Sequence, residues 1–391
     1  MKWIALAAYL GALVLTQIFW YNFAPLISLL VARHGVSELA AGWTVLVFPL
    51  ASLLFSGHAG ALIDRRGYRY SVQAGLVLMA GSSLLRIFDT SFLMILAGQT
   101  GAAIAVPYIV TAISPLVTDW FEPHQETLVT GFCTVGIFAG MSISLAGSPA
   151  AVNSFGFRGA MICFAAAAVL GTLVFRFAVP KERALPVGGT KAARPDYRAL
   201  LSNRNLLVIF LTAFLGQGCF NALTTWMEVI WHERGFASEA AGLASGIVIL
   251  GGIAGSFLVP PLLDRYQTPR LILWVCLIPC LFLIHPFLWA GTPRQGYAWG
   301  AAMGLCWLPT LAISLTILER SAGREHAGAA AGIFWTVGNA GVLGLTIFFE
   351  RLKAATNWGV AIDAVILLMA IMTLSVGLLR LPPVRAHASQ F

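Results

Sequence analysis

Between two apolar runs lies the stretch GALIDRRGYRYS, residues 60–71. It places Asp64, Arg65, Arg66 and Arg69 within six positions of a chain that is only 10% charged. The carboxylate of Asp64 among guanidinium groups is more than a simple positive anchor requires. The simpler alternative is that the arginines anchor a loop on one side of a membrane. The other side chains suited to chemistry are aromatic and amide. Trp20 and Asn22 stand in TQIFWYNFAPL (16–26), Asn221 in GQGCFNALTTWME (216–228), and Trp335 and Asn339 in FWTVGNAG (334–341), with Tyr108 and Trp307 between them. Indole and phenol faces stack on planar or cationic groups. Buried amides are costly in an apolar medium unless they meet a partner or a cavity.

This inventory supports recognition and not bond-breaking. No GxSxG, HExxH or phosphate-binding glycine loop occurs, and no nucleophile–base set is evident, so an enzyme is not expected and no cofactor is implied. The six cysteines all fall in apolar runs with no zinc or disulfide spacing, and His58 and His285 read as structural.

The elements that must position these residues follow from composition. Hydrophobic residues make up 59% of the 391, and mean hydropathy is +0.83. Runs of about 20 apolar residues, each long enough to cross a bilayer as a helix, recur throughout. Twelve spans are predicted, near 4–31, 39–62, 71–88, 92–117, 128–149, 159–179, 206–231, 239–262, 271–290, 295–317, 327–349 and 359–380. The first lacks a small-residue cleavage site and reads as a retained helix. The fold class is therefore all-α, polytopic and membrane-embedded. Arg86, Glu228 and Asp363 fall near outer span ends, where snorkelling or interfacial pairing is expected.

The net charge of +8 is dispersed over loops and does not point to nucleic acid. With the N-terminus inside, 17 of the 24 Lys and Arg residues fall on cytoplasmic segments and 6 outside, which places both termini in the cytoplasm. The chain also repeats itself. At a shift of 200 residues, Gly35, Ala40, Ala41, Gly42, Asp64 and Arg65 fall on Gly235, Ala240, Ala241, Gly242, Asp264 and Arg265. Residues 1–179 and 206–391 thus form two six-helix halves, joined by a polar, basic linker over 180–205.

Two parallel-repeated halves, with Gly60-x-x-x-Asp64-Arg65-x-Gly67-x-Arg69 between helices 2 and 3, resemble the major facilitator superfamily. The second copy is degenerate, keeping Asp264, Arg265 and Arg270 with Pro260 in the Gly60 place. The resemblance implies that this loop locks the cytoplasmic ends of the halves, with Gly60 suited to close helix packing. It also implies transport by rocking about a central site. A narrower similarity, carried by IFWYNFAPL, SPLVTDWFEPHQET (114–127) and GCFNALTT, is to the haem/choline transporter branch, the feline leukaemia virus receptor-related proteins. There a helix 1 Trp and a helix 7 Tyr hold a quaternary amine. Trp20 fits the first position, whereas Asn221 stands at the second and Asn339 replaces a longer Gln of helix 11.

The reading is a secondary transporter of a small organic solute, an amine or neutral polar compound, acting as a monomer in the lipid bilayer of a bacterial inner membrane. The rivals are an organic anion transporter or drug exporter and, in another class, a transport-dead receptor or sensor. Trp20, Asn22, Tyr108, Asn221, Trp307, Trp335 and Asn339 are the expected substrate-binding residues. Gly60, Asp64, Arg65, Gly67, Arg69, Asp264 and Arg265 are the expected gating set.

Overall fold

A computed structural model describes residues 2–179, 197–266, 268–323 and 326–380; at 123, 124, 127, 197, 199, 260–266 and 327 the backbone alone is described. Among these residues there is no strand. In chain order the helices are α1 (Lys2–Tyr21), α2 (Ile27–His34), α3 (Glu38–Arg66), α4 (Tyr68–Leu85), α5 (Phe92–Val110), α6 (Ile113–Trp120), α7 (Pro123–Ala178), α8 (Tyr197–Ser202) and α9 (Arg204–Glu233). They continue with α10 (Ser238–Tyr266), α11 (Pro269–Leu288), α12 (Pro293–Trp307), α13 (Pro309–Ala322), α14 (Ala327–Ala355) and α15 (Trp358–Ser375).

Ten helical segments among the described residues are long and apolar enough to cross a membrane. The predicted count of twelve is compatible with them. One segment, within α7, is a pair of limbs interrupted at Gly156, where φ is +70° and helical geometry breaks. A side chain there would be strained, and glycine permits the reversal. The other difference is α4, whose Arg69, Gln73 and three serines dilute its hydropathy.

Boundaries follow ordinary capping. Ser37, Ser91, Thr292 and Asn357 accept backbone N–H bonds at the starts of α3, α5, α12 and α15. The repeat is visible in the elements themselves: α3 and α10 are each 29 residues long and begin exactly one repeat apart, at 38 and 238. Gly35 and Gly235, which precede them, both have positive φ, 65° and 83°.

The described residues fall into two compact units, divided at 190/191, 220/221 and 250/251. The first holds α1–α7 with the outer part of α9 and the start of α10. Its core gathers Tyr9, Phe19, Phe48, Tyr68, Val72, Leu76, Met79, Ile109 and Phe175, all fully buried. In the second, α9 and α14 cross closely: a Cβ on Gly218 would lie 2.6 Å from the Gly341 carbonyl oxygen, and one on Gly341 would strike that of Phe214. There Trp274 Nε1 donates to Thr373 O at 3.0 Å, joining α11 to α15.

Candidate functional site

Helix 1 is broken where the site is built. Pro25 has no N–H to donate, so α1 stops at Tyr21, and a single 3-10 turn, Ala24–Leu26, leads into α2. Carbonyls beside the break accept from neighbouring helices, Ile18 O in addition to its bond from Asn22 N–H at 3.0 Å. Ser144 Oγ of α7 donates to Ile18 O at 2.8 Å, and Gln99 Nε2 of α5 donates to Phe19 O at 2.7 Å. Gln99 Nε2 also lies 3.3 Å from Asn22 Oδ1, and its Oε1 accepts from Arg86 Nη1 at 2.8 Å. The cationic side chain of α4 thus holds the break through one amide. Snorkelling of Arg86 is overturned: it is fully buried, with its guanidinium 4.3 Å from the Phe19 ring centre.

On the other side of the break, Glu228 of α9 is 1% exposed. It accepts from Ser28 N–H (3.0 Å) and Ser28 Oγ (2.9 Å) through Oε2, and from Ser238 Oγ (2.7 Å) through Oε1. Its carboxylate therefore sits on the first turn of α2, where unpaired N–H groups and the helix dipole favour an anion. Glu228 is thus paired near the end of its span and shielded by protein. Asp363 alone of the three is exposed.

A second bond ties the same helices: Tyr21 Oη donates to Asn221 Oδ1 at 2.6 Å. Both pairs, 21 with 221 and 28 with 228, join positions one repeat apart. These contacts of helix 1 with residues 221–228 of α9 lie within the first unit. Gly42 lies against the Trp226 ring, where a Cβ would stand 2.7 Å from Cη2, and Gly242 lies against Pro25 Cβ at 3.3 Å by the same measure.

Trp20 sits beneath this closure. Its ring stacks on Tyr21 (5.6 Å, 6° between planes) and on Phe48 of α3 (5.4 Å, 16°). It is half-buried, and its indole N–H has no partner among the described residues. Trp20, Asn22 and Asn221 are thus brought together, with Tyr21 and Phe48 added. Tyr108 lies apart, its hydroxyl 2.7 Å from His58 Nδ1. In the second unit, Trp307 is buried edge-on to Phe220, while Trp335 is exposed and its carbonyl accepts from Asn339 Nδ2 at 2.9 Å.

The charged loop divides its labour. Arg69 donates to the carbonyls of Val179 (2.6 Å) and Arg176 (3.1 Å), satisfying the end of α7. Gly67, at φ +84°, joins α3 to α4. Asp64 and Arg65 are exposed, and Asp64 has no ion pair among the described residues. A Cβ on Gly60 would meet nothing within 4 Å among the described residues. The side chains of Asp264 and Arg265, and linker residues 180–196, lie outside the described residues.

The sequence profile of the Major Facilitator Superfamily matches residues 9–345. The chain belongs to this superfamily. Among its relatives, solute carrier family 49 member A3 of Danio rerio is 27% identical over 66% of this chain, which spans 58% of that protein. The choline/ethanolamine transporter flvcr2b of Danio rerio is 22% identical, with 68% of this chain and 60% of the relative covered. The 2-nitroimidazole transporter of Escherichia coli is 23% identical over 90% of this chain and 88% of its own. The solved structure of the nucleoside transporter NupG superposes with a TM-score of 0.76 at 13% identity, covering 96% of this chain and all of the other. The fold is thus that of the superfamily, and the narrower likeness to the choline branch has a counterpart among the relatives.

Sequence reasoning passed over Tyr21, Phe48, Glu228 and Arg86 as parts of this site. The available signal was the cost of ionisable residues in apolar runs, which marks Arg86 and Glu228 as functional candidates wherever they stand along a span.

Proposed function

We propose that this superfamily member carries a small amine or neutral polar solute across a bacterial plasma membrane by alternating access, with Trp20 as the stacking surface. The observation that carries the reading is the parallel stack of Trp20 on Tyr21 and Phe48 beside the Tyr21–Asn221 bond between helices 1 and 7. Superfamily transporters place substrates near the interface of their repeats. An aromatic face with a free indole N–H suits a planar polar ring or an alkylammonium group. The printed activities of the Escherichia coli and flvcr2b relatives, on 2-nitroimidazole and on choline and ethanolamine, fall in those two classes. Asn22 of helix 1 and Asn221 of helix 7 are the hydrogen-bonding groups of this reading, and Tyr108, Trp307, Trp335 and Asn339 are its further candidate contacts.

Gating is assigned to Gly60, Asp64, Arg65, Gly67 and Arg69, with Asp264 and Arg265 as the degenerate copy. The halves are 1–179 and 206–391, with the 180–205 linker and both termini in the cytoplasm. Protein reconstituted in liposomes should show saturable uptake of labelled choline-like amines or nitroimidazoles, and Asp64→Asn should slow it severalfold with binding nearly unchanged. Uptake restricted to organic acids would reject the substrate class; an Asp64→Asn protein with normal turnover would reject the gate. Orientation is tested by a cysteine at Gly189, which should resist impermeant maleimide in intact cells; strong labelling would reverse the topology.

A further inference from the structure

We infer that Arg86 and Asn22 form a buried binding site for a small monovalent inorganic anion of the halide class, behind the break in helix 1. The inference goes beyond the transported solute and does not depend on its identity. Arg86 is fully buried, and of its guanidinium nitrogens only Nη1 has a hydrogen-bond partner, Gln99 Oε1 at 2.8 Å. Nε and Nη2 have none, and neither has Nδ2 of the fully buried Asn22, which shares Gln99 at 3.3 Å. The unsatisfied atoms around Gln99 are thus all N–H donors.

The charge is unmatched too. Asp89, three residues on, pairs with Arg33 and His34, and Glu228 is engaged by Ser28 and Ser238. Phe19 and Phe23, with ring centres 4.3 and 5.7 Å from the guanidinium carbon, give a cation–π contact that falls short of a buried ion's desolvation cost. A water molecule could accept from these donors but would leave the charge standing. An anion accepts from them and neutralises the charge together.

The place is prepared for the arginine. A Cβ on Gly98 would lie 2.7 Å from Arg86 Cγ and 2.7 Å from Ser82 O, so any larger residue would obstruct its passage over α5.

The test uses full-length protein purified without halide. Thermal unfolding is followed during titration with sodium chloride or bromide, ionic strength being held with sodium gluconate. A saturable rise in Tm with halide is expected, and crystals grown in bromide should show an anomalous peak beside Arg86 and Asn22. Arg86→Gln should abolish the response. Asn22→Asp, which replaces the Nδ2 donor with a carboxylate oxygen beside Gln99, should fold and be indifferent to halide, so the idea remains testable if Arg86→Gln does not fold. Equal Tm values in chloride and gluconate, bromide bound only elsewhere, or a full halide response in Asn22→Asp would each overturn it.

Discussion

Glu228→Ala is expected to open the seam between helix 1 and helix 7. The substitution strands three donors, the backbone N–H and Oγ of Ser28 and the Oγ of Ser238, in a region where the carboxylate is 1% exposed. An unpaired buried donor costs about 1–3 kcal/mol. Even about 2 kcal/mol in total changes an equilibrium roughly 30-fold. The start of α2 also loses the anion on its first turn. The cost falls on the closed arrangement, because opening lets water reach all three groups. The measurement is alkylation of a Leu26→Cys probe by impermeant maleimide, with the six native cysteines replaced. Leu26 is 2% exposed in the closed seam. Its alkylation should accelerate at least tenfold in Glu228→Ala. Glu228→Gln, which keeps one acceptor oxygen, should fall between. A folded Glu228→Ala protein with an unchanged rate would show that the carboxylate does not hold the seam.

The pattern of apolar runs made the helices legible, because a bilayer imposes a length and an internal hydrogen-bond rule on every segment. The duplication was legible too, and it extends into three dimensions through the pairs 21/221 and 28/228. What a linear reading could not supply was the direction in which a charge points. Arg86 is three positions from Asp89, yet Asp89 pairs with Arg33 and His34, while Arg86 crosses Gly98 to reach Gln99. Depth along a span placed both Arg86 and Glu228 near span ends, but could not show that neighbouring helices bury them. Gly60, whose spacing before an acid suggested a crossing, has no neighbour within 4 Å of a Cβ position among the described residues. The stacking role of Trp20 came from a resemblance and from residue type. Its companions Tyr21 and Phe48 required the fold, since Phe48 is brought to Trp20 by the packing of α3 on α1.

Replacement of Trp20 should weaken solute binding about tenfold, and the choice of replacement decides what the loss means. Alanine would remove both the ring and the filler between Tyr21 and Phe48, with centres 5.6 and 5.4 Å away. Aromatic-to-alanine changes in packed sites cost about 3–5 kcal/mol of stability, so Trp20→Ala alone would confuse misfolding with lost recognition. Trp20→Leu fills much of the space without a π face. It should keep the fold and lose the cation–π or stacking contribution, about 0.5–2 kcal/mol and more where water is excluded. That range corresponds to a few-fold to about thirtyfold in affinity. Trp20→Phe keeps a smaller face with no N–H donor, and its affinity should lie between leucine and wild type. Binding measured calorimetrically on the three variants, beside their melting temperatures, separates the contributions. Affinity that falls in the order Trp, Phe, Leu while melting temperature stays level identifies the indole as the contact surface. Binding that survives Trp20→Leu unchanged removes Trp20 from the site, and the stack of Tyr21, Trp20 and Phe48 would then be packing for the broken helix alone.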